Sequence, residues 1–163
     1  MSASSRHLQL TKAPVAKAEM LIRKPPLEVF EAFINPAITT KFWFTKSSGR
    51  LETGKRVTWE WEMYGFSVQV EVKTIEQSKR IVVGWPYHDT QTTIEWIFTP
   101  HGNDATYVSV TNSGFGGNGD KAVADALEST GGFTWVLAGL KAHLEHGVLL
   151  NLIADAYPGK ARL

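Results

Sequence analysis

The chain has 163 residues, 43% hydrophobic and 20% charged, with a formal net charge of +1. That length suits one domain with a continuous core, and the balanced charge disfavours both disorder and a nucleic-acid partner. The absence of cysteine excludes disulfides, thiolate metal sites and cysteine nucleophiles, and makes the cytoplasm the expected location.

The opening MSASSRHLQLTKAPVAKAEM lacks the unbroken apolar run of a secretory signal, and no stretch reaches the ~20 apolar residues of a membrane span. We therefore expect a flexible leader over 1–12, one domain over 13–158 and a tail over 159–163, with no membrane association. VAKAEMLIRK alternates as a first strand until Pro25-Pro26 ends it, since proline cannot donate to a ladder. Val29, Phe30, Phe33 and Ile34 then recur at helical spacing, and Asn35-Pro36 separates this helix from a second short one over Ala37 to Phe42.

From Ser47 to Asn112 the pattern changes to period two, interrupted at Glu52-Thr53-Gly54, Tyr64-Gly65, Gln77-Ser78 and Pro100 to Asp104. Six strands fit this span, too closely spaced for crossover helices, so the sheet must be antiparallel. Beyond GFGGNGD, apolar side chains at Val123, Leu127, Leu137, Leu140, Leu144 and Val148 predict one long amphipathic helix from 120 to about 150. The expected fold is α+β: a curved antiparallel sheet of about seven strands around a long C-terminal helix, with two short helices after the first strand.

Strand side chains alternate between faces, so Val57, Trp59, Trp61 and Met63 should share one face and Thr58, Glu60 and Glu62 the other. Phe66, Val68, Val70 and Val72, and then Ile94, Trp96 and Phe98, extend the apolar face, opposite Glu71 and Glu95. An unpaired buried carboxylate costs several kcal/mol, so the glutamates are expected in water rather than as a catalytic pair.

Residues 25–36, PPLEVFEAFINP, resemble the strand-to-helix opening of the Hsp90-ATPase-activator-homologue (AHSA1-like) branch of the SRPBCC, or START/Bet v 1-like, superfamily. Thr111-Asn112-Ser113-Gly114-Phe115, Gly132-Phe133, Leu137, Leu140, Leu144-Glu145 and Gly147 are similar to that branch's last strand and closing helix, so the resemblance spans about residues 15–155. It implies a helix-grip fold with a hydrophobic cavity between sheet and helix. Members bind lipids, polyketides or other apolar molecules, a few catalyse cyclisation or hydration, and a eukaryotic relative stimulates Hsp90. That relative has a separate N-terminal domain, whereas a short leader precedes Val15 here, so an Hsp90-type chaperone ranks behind a small ligand as partner.

Other patterns have plainer readings. Gly114 to Gly119 satisfies GxGxxG, but a dinucleotide fold needs a second parallel strand after the helix, and this helix closes the pattern. His143 and His146 stand three apart without an HExxH motif and read as rim or solvated residues, so no metal and no cofactor are expected. Asn112 follows Val108 and Val110 on the inward face, where its amide needs a ligand, a water or the backbone as partner. Gly131-Gly132 within the helix either lets the sheet approach, leaves room for a ligand or marks a kink.

The function expected is binding of a small hydrophobic or aromatic molecule in a cavity lined by Trp59, Trp61, Met63, Val70, Trp96, Asn112, Phe133 and Leu137. No catalytic residue is assigned; a cyclase or hydrolase using the same cavity and a cochaperone-like module are the alternatives, and a homodimer is the expected assembly.

Overall fold

A computed structural model describes residues 8–159; the start of the expected leader (1–7) and the end of the expected tail (160–163) lie outside the described residues. Strand β1 (Ala16–Ile22) leads to α1 (Pro26–Ile34) and α2 (Pro36–Thr39), which starts where the Asn35 side chain accepts the Ala37 N–H at 3.0 Å. The second helix is thus shorter than the expected Ala37 to Phe42, and residues 40–42 form a turn followed by a bend at Trp43.

Next come β2 (Lys46–Ser47), β3 (Arg56–Trp61), a 3₁₀ turn (Glu62–Tyr64), β4 (Phe66–Glu76), β5 (Arg80–Tyr87), β6 (Thr90–His101) and β7 (Ala105–Ser113). They form a seven-stranded sheet in the order β1-β7-β6-β5-β4-β3-β2, with every neighbouring pair antiparallel. Helix α3 (Gly119–His146) packs on its concave face and a short α4 (Leu152–Ala156) follows, giving the α+β helix-grip architecture. The expected helix limit near 150 is corrected to His146. Gly147 adopts φ 64° and sends its N–H back to the carbonyls of Ala142 and His143, a left-handed cap that a side chain would strain.

The period-two reading holds along the sheet. Val57, Trp59, Trp61, Val70, Val72, Ile94, Trp96 and Phe98 are buried in one cluster with Phe33, Trp43, Phe44, Phe133, Leu137 and Leu140. Glu62 and Glu71 are exposed, while Glu60 and Glu95 are half-buried and face Lys46 and Arg80. Met63 departs from its expected face: the strand ends at Trp61, the 3₁₀ turn rotates the next side chains, and Met63 is 39% exposed.

Helix α3 also presents a different stripe from the one expected. Leu127 is 69% and Val148 44% exposed. The face against the sheet is Ala122, Asp125, Ala126 and Ser129 in its first half and Phe133, Val136, Leu137 and Leu140 in its second. The close backbone approach occurs at Gly139, where an added Cβ would stand 3.2 Å from Phe42 Cβ and 3.4 Å from its carbonyl oxygen. At Gly131 and Gly132 such an atom would meet nothing within 4 Å.

Candidate functional site

Aromatic rings converge where β3, β4 and β5 face the middle of α3. Trp43, brought in by the turn after α2, lies 4.9 Å from Trp59 between ring centroids, stacks on Trp85 at 6.0 Å and 17°, and meets Phe133 edge-on at 5.6 Å. Trp61 is 5.8 Å from Trp85 and 5.6 Å from Phe66. These contacts are within the range in which offset and edge-to-face pairs attract, so the wall is rigid as well as apolar.

The wall does not close. Between it and α3 is a pocket of about 430 Å³ whose apolar floor includes Trp43, Trp61, Phe66, Val68, Trp85 and Phe133. That volume falls within the ~300–1,000 Å³ of small-molecule sites. Gly132 forms part of the helix side, where a larger side chain would enter the space. Tyr64, Ile153, Ala156 and Tyr157 border the end near α4, and the Tyr64 hydroxyl donates to the Ile153 carbonyl, tying α4 to the rim.

The other end is polar and is built by the β5–β6 turn and the first half of α3. Tyr87 donates to Glu128 at 2.8 Å, and His88 Nε2 is 3.8 Å from an Asp125 oxygen and 3.9 Å from one of Glu128. His88 holds φ 53° at the first position of the two-residue turn, a conformation usually left to glycine, asparagine or aspartate. The ligand atoms of His88, Asp125 and Glu128 lie within 4.8 Å of one another, the one such group of metal-type donors among the described residues. Asp125 already binds the Lys121 ammonium at 2.8 Å. That hydrogen bond, with a further attraction from Asp89, raises the Lys121 pKa above its ordinary value.

Beneath this end runs a buried hydrogen-bond chain. Ser129 donates to Asn112 Oδ1 at 2.9 Å, Asn112 Nδ2 donates to Thr92 Oγ1 at 2.9 Å and to the Thr93 carbonyl at 3.1 Å, and Thr92 donates to the Trp85 carbonyl at 2.7 Å. The inward amide therefore has three protein partners on two other elements, β6 and α3, as a fully buried polar group requires.

Of the residues expected to line the cavity, Trp61 and Phe133 border this pocket. Trp59, Val70, Trp96 and Leu137 are at most 1% exposed and support the wall from the packed core, Asn112 lies under the polar end, and Met63 is turned to solvent outside the lining. The Trp96 Nε1–H is buried without an acceptor among the described residues. His143 is half-buried and His146 exposed, and neither borders the pocket.

Sequence reasoning missed Trp43, Trp85, Tyr87, His88 and Glu128. The first follows a helix rather than lying in a strand, and RIVVGWPY is apolar on both faces, so alternation gives it no inward side. A buried Asn112 in need of a partner was the available pointer to Ser129 and hence to the helix face carrying Glu128.

Residues 23–145 match the family model described as "Activator of Hsp90 ATPase homolog 1-like protein". The sequence matches no curated protein. Among solved structures, the chain is similar to protein SSP2350 from Staphylococcus saprophyticus, with 29% identity, a TM-score of 0.72 and coverage of 83% of this chain and 95% of that one. It is also similar in fold to the Aha1 dimer from Colwellia psychrerythraea (18% identity, TM-score 0.68, 82% of this chain and 97% of that one). DynU16, a protein of the dynemicin biosynthetic locus, shares 20% identity and a TM-score of 0.73 over 83% of this chain, which spans 49% of DynU16. Among the described residues no helix is long and apolar enough to cross a membrane.

Proposed function

Because the chain belongs to the Activator of Hsp90 ATPase homolog 1-like family of the SRPBCC superfamily, we propose that it binds a small, flat, hydrophobic or aromatic molecule between sheet and helix. The observation that carries this reading is the pocket of about 430 Å³ between the Trp43, Trp61 and Trp85 wall and Gly132. A rigid apolar slot with polar groups at one end favours a planar body held in one orientation. The cytoplasm is the proposed location.

Tryptophan fluorescence titrated with a panel of planar aromatic compounds tests the reading, since three indoles border the slot along its sheet side. The expected result is saturable quenching that a Gly132→Leu variant weakens at least tenfold. Wild-type protein that binds none of the panel would remove it.

An enzymatic reading draws on Glu128 and His88, which border the same space and could exchange a proton with a bound molecule. Turnover of a bound compound that stops in Glu128→Gln while binding persists would favour it. For assembly we propose a homodimer, on the strength of the exposed Leu127 and the dimeric Colwellia relative. Light scattering of the full chain decides this, and a monomer at all concentrations would refute it.

A further inference from the structure

The sides of the pocket are not held equally. On the sheet side, β3, β4 and β5 are joined by antiparallel ladders. Helix α3 is fixed by Phe133, Val136, Leu137 and Leu140, all in the main core, and the polar end is pinned through the buried Ser129–Asn112 bond. The remaining end is closed by α4, which lends Ile153, Ala156 and, just past it, Tyr157 to the lining. No residue of α4 is buried.

Residues 147–151 join α3 to α4 as a strap bounded by two left-handed positions, Gly147 at φ 64° and Asn151 at φ 55°. Asn151 stands at the N-cap of α4, yet its side chain accepts no N–H of the first turn, so the helix starts without that support. Among the described residues, no backbone hydrogen bond joins 149–157 to the sheet or to α3, and the Asp155 N–H returns to Asn151 within the segment itself. The body of the protein reaches α4 through side chains. Tyr64, 6% exposed in its 3₁₀ turn, aims its hydroxyl at the carbonyls of Ile153 and, at 3.3 Å, Ala154, and its ring meets Tyr157 edge-on at 6.4 Å. Ile153 packs half-buried against the main core.

A structure opens first where the fewest buried contacts are lost. Parting the strands breaks a ladder and moving α3 breaks the core, whereas swinging α4 releases the Tyr64 hydroxyl, the Tyr64–Tyr157 contact and the Ile153 side chain with every ladder intact. Hinges are a few residues at element ends that absorb large φ/ψ changes, the position that Gly147 and Asn151 hold. Resting on the binding function proposed above, we infer that residues 147–157 form a gate: α4 swings on the Gly147–Asn151 strap to admit the planar guest, and the Tyr64 hydroxyl latches it shut. Tyr64 is a positioning residue here, acting on the guest through α4. The guest reaches the tryptophan wall from the open form, so its association rate is the intrinsic rate multiplied by the open fraction. Weakening the latch raises that fraction in the empty and the loaded protein alike. Association and dissociation then accelerate together, and affinity barely moves.

The test is stopped-flow tryptophan fluorescence on the full chain with members of the planar panel, 2-naphthol among them. Tyr64→Phe keeps the ring and removes the latch; both rate constants should rise about fivefold, while their ratio stays within about twofold of the wild-type value. A rise in dissociation alone would make Tyr64 an ordinary contact of the guest, and unchanged rates would make α4 a fixed wall. Either result overturns the gate while the pocket keeps its binding role. Because the chain has no cysteine, the double variant Met63→Cys/Asp155→Cys, at exposed positions next to the two ends of the latch, takes a reducible bis-maleimide bridge cleanly. Association with the bridged protein should be about tenfold slower and should recover when the bridge is reduced. Full-speed association with the bridged form overturns the gate independently of how Tyr64→Phe folds. If the wild type binds none of the panel, both readings fall.

Discussion

The two halves of α3 do different work. Its second half sends Phe133, Val136, Leu137 and Leu140 into the main core, where each is at most 7% exposed. Its first half buries only small or polar groups: Ala122 and Ala126 in a minor cluster with Ala16 and Phe115, and Asp125 and Ser129 in polar contacts. Burial of large apolar surface dominates stability, while polar groups at a cleft confer orientation and selectivity. One continuous helix therefore joins a region that holds the fold to a region that shapes the site, and Gly131-Gly132 falls at the junction.

The largest expected effect is in the second half. Leu140→Ala removes a fully buried side chain and should cost about 2–5 kcal/mol in urea denaturation. Leu127→Ala, in the exposed part of the first half, should change the stability of the single chain, measured at a dilution that dissociates any dimer, by no more than ~0.5 kcal/mol. Equal losses from the two would abolish the distinction.

Next in size, Asn112→Ala should cost about 1–3 kcal/mol, because it strips the Thr93 carbonyl and the Ser129 hydroxyl of a buried partner. Calorimetric melting measures it, and the ligand affinity of the same variant should fall as Ser129 loses its fixed orientation.

The junction gives a sharper contrast. Gly131→Ala and Gly132→Ala should each raise helix stability by up to ~1 kcal/mol, since neither new methyl meets an atom within 4 Å. Only the second enters the pocket, so it alone should weaken ligand binding in the fluorescence titration.

The smallest effect is electrostatic and belongs to the helix's C-terminal end. Burial acts to raise the Glu145 pKa, but the Arg23 backbone N–H at 3.0 Å and the Lys141 ammonium at 2.7 Å prevail and hold it below the usual carboxylate range. A depressed carboxylate contributes stability that is complete above its unfolded pKa, ~4.3, and is lost as pH falls through the folded value. Stability below that pH should therefore fall less steeply in Glu145→Gln than in the wild type, as followed by acid titration of the melting temperature. Parallel curves would show that the Arg23 and Lys141 contacts contribute nothing to the acid response.

The sheet was legible because alternation is a strong signal wherever one face is buried: Trp59 and Glu60 need only their positions to be assigned. The helix was less so. Leu127 attracted the reading by its hydrophobicity, whereas the true inner face is spelled Ala122, Asp125, Ala126, Ser129, residue types whose burial depends on partners elsewhere in the chain. The pocket was legible in chemistry and only partly in membership. An aromatic surplus was plain, but Trp59 and Trp96 were absorbed by packing while Trp43 and Trp85 reached the open space, a division decided by tertiary geometry. The turn at His88-Asp89 carries no glycine, so neither it nor the polar end it creates could be located by turn chemistry.

The chain of bonds from Ser129 through Asn112 and Thr92 to the Trp85 carbonyl joins two residues on opposite sides of the pocket. Hydrogen bonds lose strength quickly when stretched, whereas apolar surfaces can slide with little penalty. The gap between sheet and helix is consequently gauged at this end by one bond, Ser129 to Asn112, whose sheet end is anchored by the other two, much as a spacer sets the jaws of a clamp. A guest that is too thick cannot wedge the jaws apart without breaking a buried polar link, and one that is too thin leaves an unfilled space, so the protein should sort planar molecules by thickness before it reads any group they carry.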